Sequence, residues 1–147
     1  MSFFDNYEDL DDWNVSDIKI DELVGKTIKS IEGLEKNSTE VLIKTECGND
    51  YLFYHCQDCC EQVDLEDFEV GSNDMTGALI ISAEEVSESG DEESHNKPSE
   101  YCESFTWTFY KIETTKGEIF MRWLGTSNGY YGEEVSIGWL NKPKTAT

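Results

Sequence analysis

Apolar and polar positions alternate most regularly in the last third of the chain. From Ser104 to Thr114, Phe105, Trp107 and Phe109 fall on one side, and Thr106, Thr108 and Tyr110 on the other. That is the period-two signature of a strand. Lys116-Gly117 turns the chain into a second strand over Glu118–Leu124, and the stretch from Gly125 to Gly132 turns it again into a third over Glu133–Trp139, so a three-stranded meander is expected. Upstream, Lys26–Leu34 alternates imperfectly and Glu40–Thr45 more cleanly. Gly48-Asn49-Asp50 reads as the turn of a hairpin with Tyr51–Cys56. Period two then sets Tyr51, Phe53 and His55 against Leu52, Tyr54 and Cys56. Weaker strand patterns cover Asp64–Val70 and Ala78–Val86. Ser87–Glu100 has no large apolar residue, and it reads as an exposed, mobile loop in which His95 is solvated.

The first 22 residues break the strand pattern. Phe3, Phe4, Tyr7, Leu10 and Trp13 recur at helix-like spacing among acids, as in a segment that orders against a partner or against the domain. Ser16 has the chemistry of a helix N-cap and Gly25 that of a helix stop, so a short helix is expected near 17–24. The predicted architecture is α+β, a mostly antiparallel curled β-sheet with one or two short helices. Its expected parts are an acidic extension over 1–22, one β-rich domain over 23–140 and a frayed tail over 141–147. Neither a repeat period nor βαβ alternation is present.

Charge changes this picture more than length does. Among 147 residues, 32 are Asp or Glu and 11 are Lys or Arg, a net charge of −21. Between Asp58 and Glu103 the only base is Lys97. Such a field repels nucleic acid and anionic membrane and steers the chain toward basic surfaces, among them the nucleic-acid-binding grooves of other proteins. The longest apolar run, Ala78–Ser82, is far too short to span a bilayer, and a cytoplasmic location is expected. Oligomeric state is not legible.

The densest chemistry lies between Tyr54 and Val63, where His55, Gln57, Asp58, Cys59, Cys60 and Glu61 crowd together with Cys56. Cys56 and Cys59 have the spacing of half a zinc site. Cys47 and Cys102 are single, however, and no second ligand pair follows, so no metal or other cofactor is expected. A reactive thiolate needs positive neighbours, and the segment is acidic instead. Cys59 and Cys60 could join as a vicinal disulfide or stay as thiols. The plainer reading is a turn in which the cysteines are small buried residues and Asp58 accepts backbone N–H bonds. The second candidate is Ser127, Asn128, Gly129, Tyr130 and Tyr131, a hairpin tip expected to pack beside that turn. Patterns for a nucleophile elbow, a phosphate loop or a metalloprotease helix are lacking, which argues against an enzyme.

Three blocks, VGKTIKSIEGLEKNSTEV (24–41), YHCQDCCEQVDLEDFEV (54–70) and ESFTWTFYKIETTKGEIFMRWLGTSNGYYGEEV (103–135), together resemble a small domain of unknown function found in many bacteriophages and some bacteria. The resemblance covers about 23–137. Its signature of a His-x-Gln-Asp-Cys-Cys-Glu segment and a Ser-Asn-Gly-Tyr-Tyr segment falls on the two candidate clusters, with Cys56 at the variable position. It implies a phage-type source and transfers no activity. The resulting expectation is a small acidic protein that binds and modulates a host or defence protein through a basic surface of that partner. A ligand sensor or hydrolase-like enzyme using His55, Asp58, Cys59, Cys60 and Glu61 is the alternative.

Overall fold

The computed structural model describes residues 2–7, 15–94, 97–99 and 102–140. Among the described residues nine strands run β1 Ser16–Asp17, β2 Ile28–Glu32, β3 Val41–Thr45, β4 Asp50–Tyr54, β5 Gln62–Val70, β6 Ile80–Asp91, β7 Ser104–Thr114, β8 Gly117–Ser127 and β9 Ser136–Leu140. They form two antiparallel sheets, one ordered β1-β9-β4-β3-β2 and the other β5-β8-β7-β6. No helix among the described residues is long and apolar enough to cross a membrane.

The α+β expectation is overturned. The described helical residues make only two four-residue 3₁₀ turns, Phe3–Asn6 and Ile20–Leu23. Ser16 does not cap a helix; it pairs with Trp139 as a strand, and Asp17 pairs with Gly138. The helical run that remains is one turn long, too short to propagate an α-helix. Its two apolar residues, Ile20 and Leu23, are three apart, which suits the three-residue repeat of a 3₁₀ turn and points both into the core.

The single curled sheet is likewise replaced by two sheets facing one core. Val41, Ile43, Tyr51 and Phe53 from the first meet Leu65, Tyr110, Met121 and Trp123 from the second in one buried cluster. A fully buried side chain of this kind contributes roughly 1.5–3 kcal/mol. Backbone bonds close the gap between the sheets at two places. Gly25 N–H and Ile80 N–H bond the carbonyls of Ile80 and Lys26 at 2.9 Å each, and Leu65 exchanges bonds with Asn37 and Ser38.

Two connections also differ from expectation. Strand β9 does not complete a meander with β7 and β8, because it crosses to the other sheet and pairs with β4 from Asp50↔Leu140 to Tyr54↔Ser136. Strand β6 runs to Asp91, so the first five residues of the expected loop are strand, laddered from Ser87↔Thr108 to Asp91↔Ser104. Backbone pairing holds these residues in place without any apolar side chain of their own. His95 lies outside the described residues, as does the expected tail over 141–147.

Much of the expected acidic extension belongs to the fold. Phe4 and Tyr7 are buried and lie on the outer face of the five-stranded sheet in a second cluster with Leu42, Leu52, Tyr54 and Leu140. Phe4 meets the Tyr54 ring edge-on with 5.3 Å between centroids. Phe3 packs against this cluster, and its N–H donates to Glu40 at 2.7 Å. Leu10 and Trp13 lie outside the described residues.

Candidate functional site

Alternation along β4 buries Tyr51 and Phe53 in the central core and Leu52 and Tyr54 in the second cluster, as period two requires. His55 follows directly, where the chain leaves the five-stranded sheet for β5 of the other one. Its ring is nearly enclosed, with 4% of the side chain exposed. Nδ1 lies 2.6 Å from the Glu134 carbonyl oxygen, and Nε2 lies 2.7 Å from a carboxylate oxygen of Glu61. Both ring nitrogens therefore lie within hydrogen-bond distance of an oxygen acceptor.

Glu61 is the centre of this arrangement. Its carboxylate is buried, and beside His55 it accepts the backbone N–H of Asp58 at 2.8 Å and of Cys59 at 2.9 Å. Burial pushes the carboxyl group up, but the bonds from His55, Cys59 and Asp58 prevail and lower it to about 2. Gln57 closes the loop by donating to the Glu61 carbonyl at 2.6 Å. The turn expectation is thus corrected in one respect. Asp58 donates its backbone N–H to the turn, and the acceptor is Glu61, three residues later. Bonds from the N–H groups two and three residues back let Glu61 fold inward across a tight turn, whereas the Asp58 residue is exposed.

The cysteines are not buried fillers. Cys59 and Cys60 are both exposed, and their sulfur atoms are joined as a vicinal disulfide. The Cys59 N–H belongs to the Glu61 cradle, so this pair sits on the outer wall of the turn. Cys56 is half-buried and packs against the second cluster. Among the described residues no group of three or more His, Cys, Asp or Glu side chains could hold a metal ion.

The second candidate segment begins at the end of β8. Ser127 Oγ donates to Glu133 and accepts the Gly129 N–H at 3.0 Å, and Asn128 Oδ1 accepts the Tyr130 N–H at 3.0 Å. Gly129 has φ +93°, a left-handed conformation that a side chain would strain. Tyr130 is 83% exposed and meets Tyr131 edge-on at 5.0 Å. Glu133, buried below the tip, also accepts from Thr106 Oγ1 at 2.8 Å. A side chain at Gly125 would overlap the Glu133 carbonyl oxygen, so that strand position has to be glycine for the segment to pass.

The two segments meet. Glu134, whose carbonyl holds His55, follows Glu133, which anchors Ser127. A groove of about 380 Å³ is lined by Cys60 and Gln62 from one side and by Ser127 and Asn128 from the other. Both crossings between the sheets, β4 to β5 and β8 to β9, are therefore clasped at one end of the molecule. The residues missed in the sequence are Glu133 and Asp50. Asp50 opens β4 and is buried beneath the N-terminal segment, where it accepts the Tyr7 hydroxyl at 2.6 Å. Burial raises the Asp50 carboxyl group despite that bond. An acid at a position whose neighbours in the same parity are Leu52 and Tyr54 is the signal that marks it.

These features define a class, a small two-sheet antiparallel β domain whose sheet crossings are clasped by a buried histidine–carboxylate pair. The chain belongs to the family described as Domain of unknown function (DUF7448), which it matches over residues 21–137. That span contains both candidate segments. Comparison with curated proteins gives no match, and comparison with solved structures gives none either.

Proposed function

We propose that this protein is a non-enzymatic acidic binding module that engages and modulates a protein partner through a basic surface of that partner. The observation that carries the proposal is the acidic strand β6. Glu84, Glu85, Glu88 and Asp91, continued by Glu92 and Glu93, are all exposed, and no Lys or Arg occurs between Asp74 and Lys97. The register puts Glu84 and Glu88 on the side of Lys111 and Trp107, and Glu85 and Asp91 on the opposite side, so strand pairing fixes carboxylates along both sides of this edge. A partner meets them without first ordering a loop. Cations on the neighbouring strands are drawn into local pairs, Lys111 with Glu113 and Glu118, and Arg122 with Glu66 and Asp67.

Such an array suits a surface that otherwise binds a nucleic-acid backbone. The resemblance to phage-borne domains makes a host or defence protein the partner class to test first. The clasp at His55 and Glu61 supports a binding role over the hydrolase-like or sensor alternative. Both imidazole nitrogens are engaged, and the Glu61 carboxylate already accepts three donors. The test is the salt dependence of binding to a partner isolated with the intact protein. Affinity should fall by about a hundredfold or more between roughly 50 and 200 mM salt, and nucleic acid should compete. An affinity indifferent to ionic strength would overturn the reading.

A further inference from the structure

The outer face of the four-stranded sheet is built unlike a surface that only meets water. The β6–β7–β8 register places Val86, Phe109 and Arg122 in one row, and Glu88, Trp107 and Leu124 in the next. Phe120 lies opposite Lys111 in a third row. Residues opposite one another share a face, so three aromatic rings and two aliphatic side chains stand together on the side away from the core. Phe109 and Phe120 pack at 6.2 Å, and Arg122 lies over the Trp107 ring at 5.4 Å. Val86 is 56% exposed. An antiparallel sheet with one wet face ordinarily alternates apolar and polar. Strand β7 instead carries large apolar groups on both sides, with Tyr110 and Ile112 in the core and Trp107 and Phe109 outside it.

The equivalent face of the other sheet is apolar too, and there the chain's own Phe4 and Tyr7 cover it. Trp107, Phe109 and Phe120 are half-buried and lie outside both apolar clusters of the described core, while Phe105, two residues before Trp107 on the same face, is fully buried. Their surroundings are acidic. Glu84 and Glu88 stand on the β6 side, Asp64 and Glu69 on the β5 side, and Glu66 and Asp67 tether Arg122 across the sheet. An apolar centre inside a carboxylate rim complements an apolar centre inside a cationic rim.

We propose that this face is the docking surface for a cationic amphipathic protein segment, with apolar side chains seated over Trp107, Phe109 and Phe120 and Lys or Arg side chains paired to the rim. The proposal rests on the acidic-binder reading and assigns it a place. The β6 array draws the partner in, and the aromatic rows hold it.

Backbone amide shifts of the full-length protein, followed during titration with two synthetic peptides of equal positive charge, test it. One peptide is oligolysine; the other interleaves lysine with leucine and tryptophan. The interleaved peptide should bind about tenfold more tightly, with shifts centred on residues 84–88, 107–111 and 120–124. Phe109→Ser should remove that advantage and leave oligolysine binding unchanged. Val86→Ser, at an exposed edge position that leaves the core intact, should reduce it by severalfold. Equal affinities with shifts spread over the acidic surface would overturn the docking face and leave the acidic-binder reading standing. Failure of both peptides to bind at low salt would remove that reading as well.

Discussion

The two sheets have outer faces of similar make and opposite treatment. On the five-stranded sheet, Leu42, Leu52, Tyr54 and Leu140 lie beneath Phe4 and Tyr7, which the chain supplies itself. On the four-stranded sheet, Trp107, Phe109 and Phe120 remain outside both clusters of the described core. The covering segment is anchored by polar bonds as well as by burial. Ser2 Oγ and the Phe3 N–H reach the two oxygens of Glu40, and the Tyr7 hydroxyl reaches Asp50. Apolar area alone therefore does not decide whether an outer face of this fold is covered by the chain's own N-terminal segment. Whether donors and acceptors are built in to hold an internal cover does.

The contrast makes graded demands. Phe4→Ala should lower the unfolding free energy by about 3 kcal/mol, the cost of emptying an aromatic site. Denaturant titration measures it, and a loss below about 0.5 kcal/mol would mean that the cover holds nothing down. Glu61→Gln, beneath neither face, should cost about 2 kcal/mol at neutral pH through weakened charge-assisted bonds. The sign of its acid dependence follows from the lowered carboxyl. The ordinary value is 4.5 and the folded value about 2, so the stabilisation is complete above 4.5 and drains away as pH falls toward 2. Stability measured across that window should fall less steeply in Glu61→Gln than in the parent; equal slopes would refute the buried, hydrogen-bonded carboxylate.

Tyr7→Phe should cost about 1 kcal/mol, since it removes the donor from the Asp50 carboxyl group while keeping the ring. Asp50 has the opposite sign. Its carboxyl group is raised, so its contribution is fully present below the unfolded value and is lost as pH rises through the folded one. Asp50→Asn should accordingly be better tolerated at neutral pH than Glu61→Gln. The smallest effect belongs to the half-buried outer face of the four-stranded sheet, where Phe109→Ser should cost about 1 kcal/mol. A loss as large as that for Phe4→Ala would show that the face is structural, and the contrast would fail.

What the sequence revealed depended on whether side chains or distant pairing decided the outcome. Strand β7 follows from alternation alone, and its observed limits are Ser104–Thr114 as expected. The second half of β6 offers only SESGD, and it is a strand because β7 supplies a template. Nothing local tells β9 to leave β8 and pair with β4. A helix was expected after Ser16 because a cap and a stop stood at suitable spacing, and a two-residue strand pairing with β9 claimed the cap residue instead. At the clasp, the chemical types and the meeting of the two segments were legible, but the assignment of roles was not. Asp58 and Glu61 are equally acidic, and the difference between them is which one the turn folds inward.

Strand β6 is twelve residues long and stands at the sheet's edge, the kind of border along which proteins polymerise. Its exposed carboxylates repel the like-charged edge of a second copy. With Glu84, Glu85, Glu88 and Asp91 replaced by their amides, that insulation is gone while the core is untouched, and the edge should become prone to pair with a second copy.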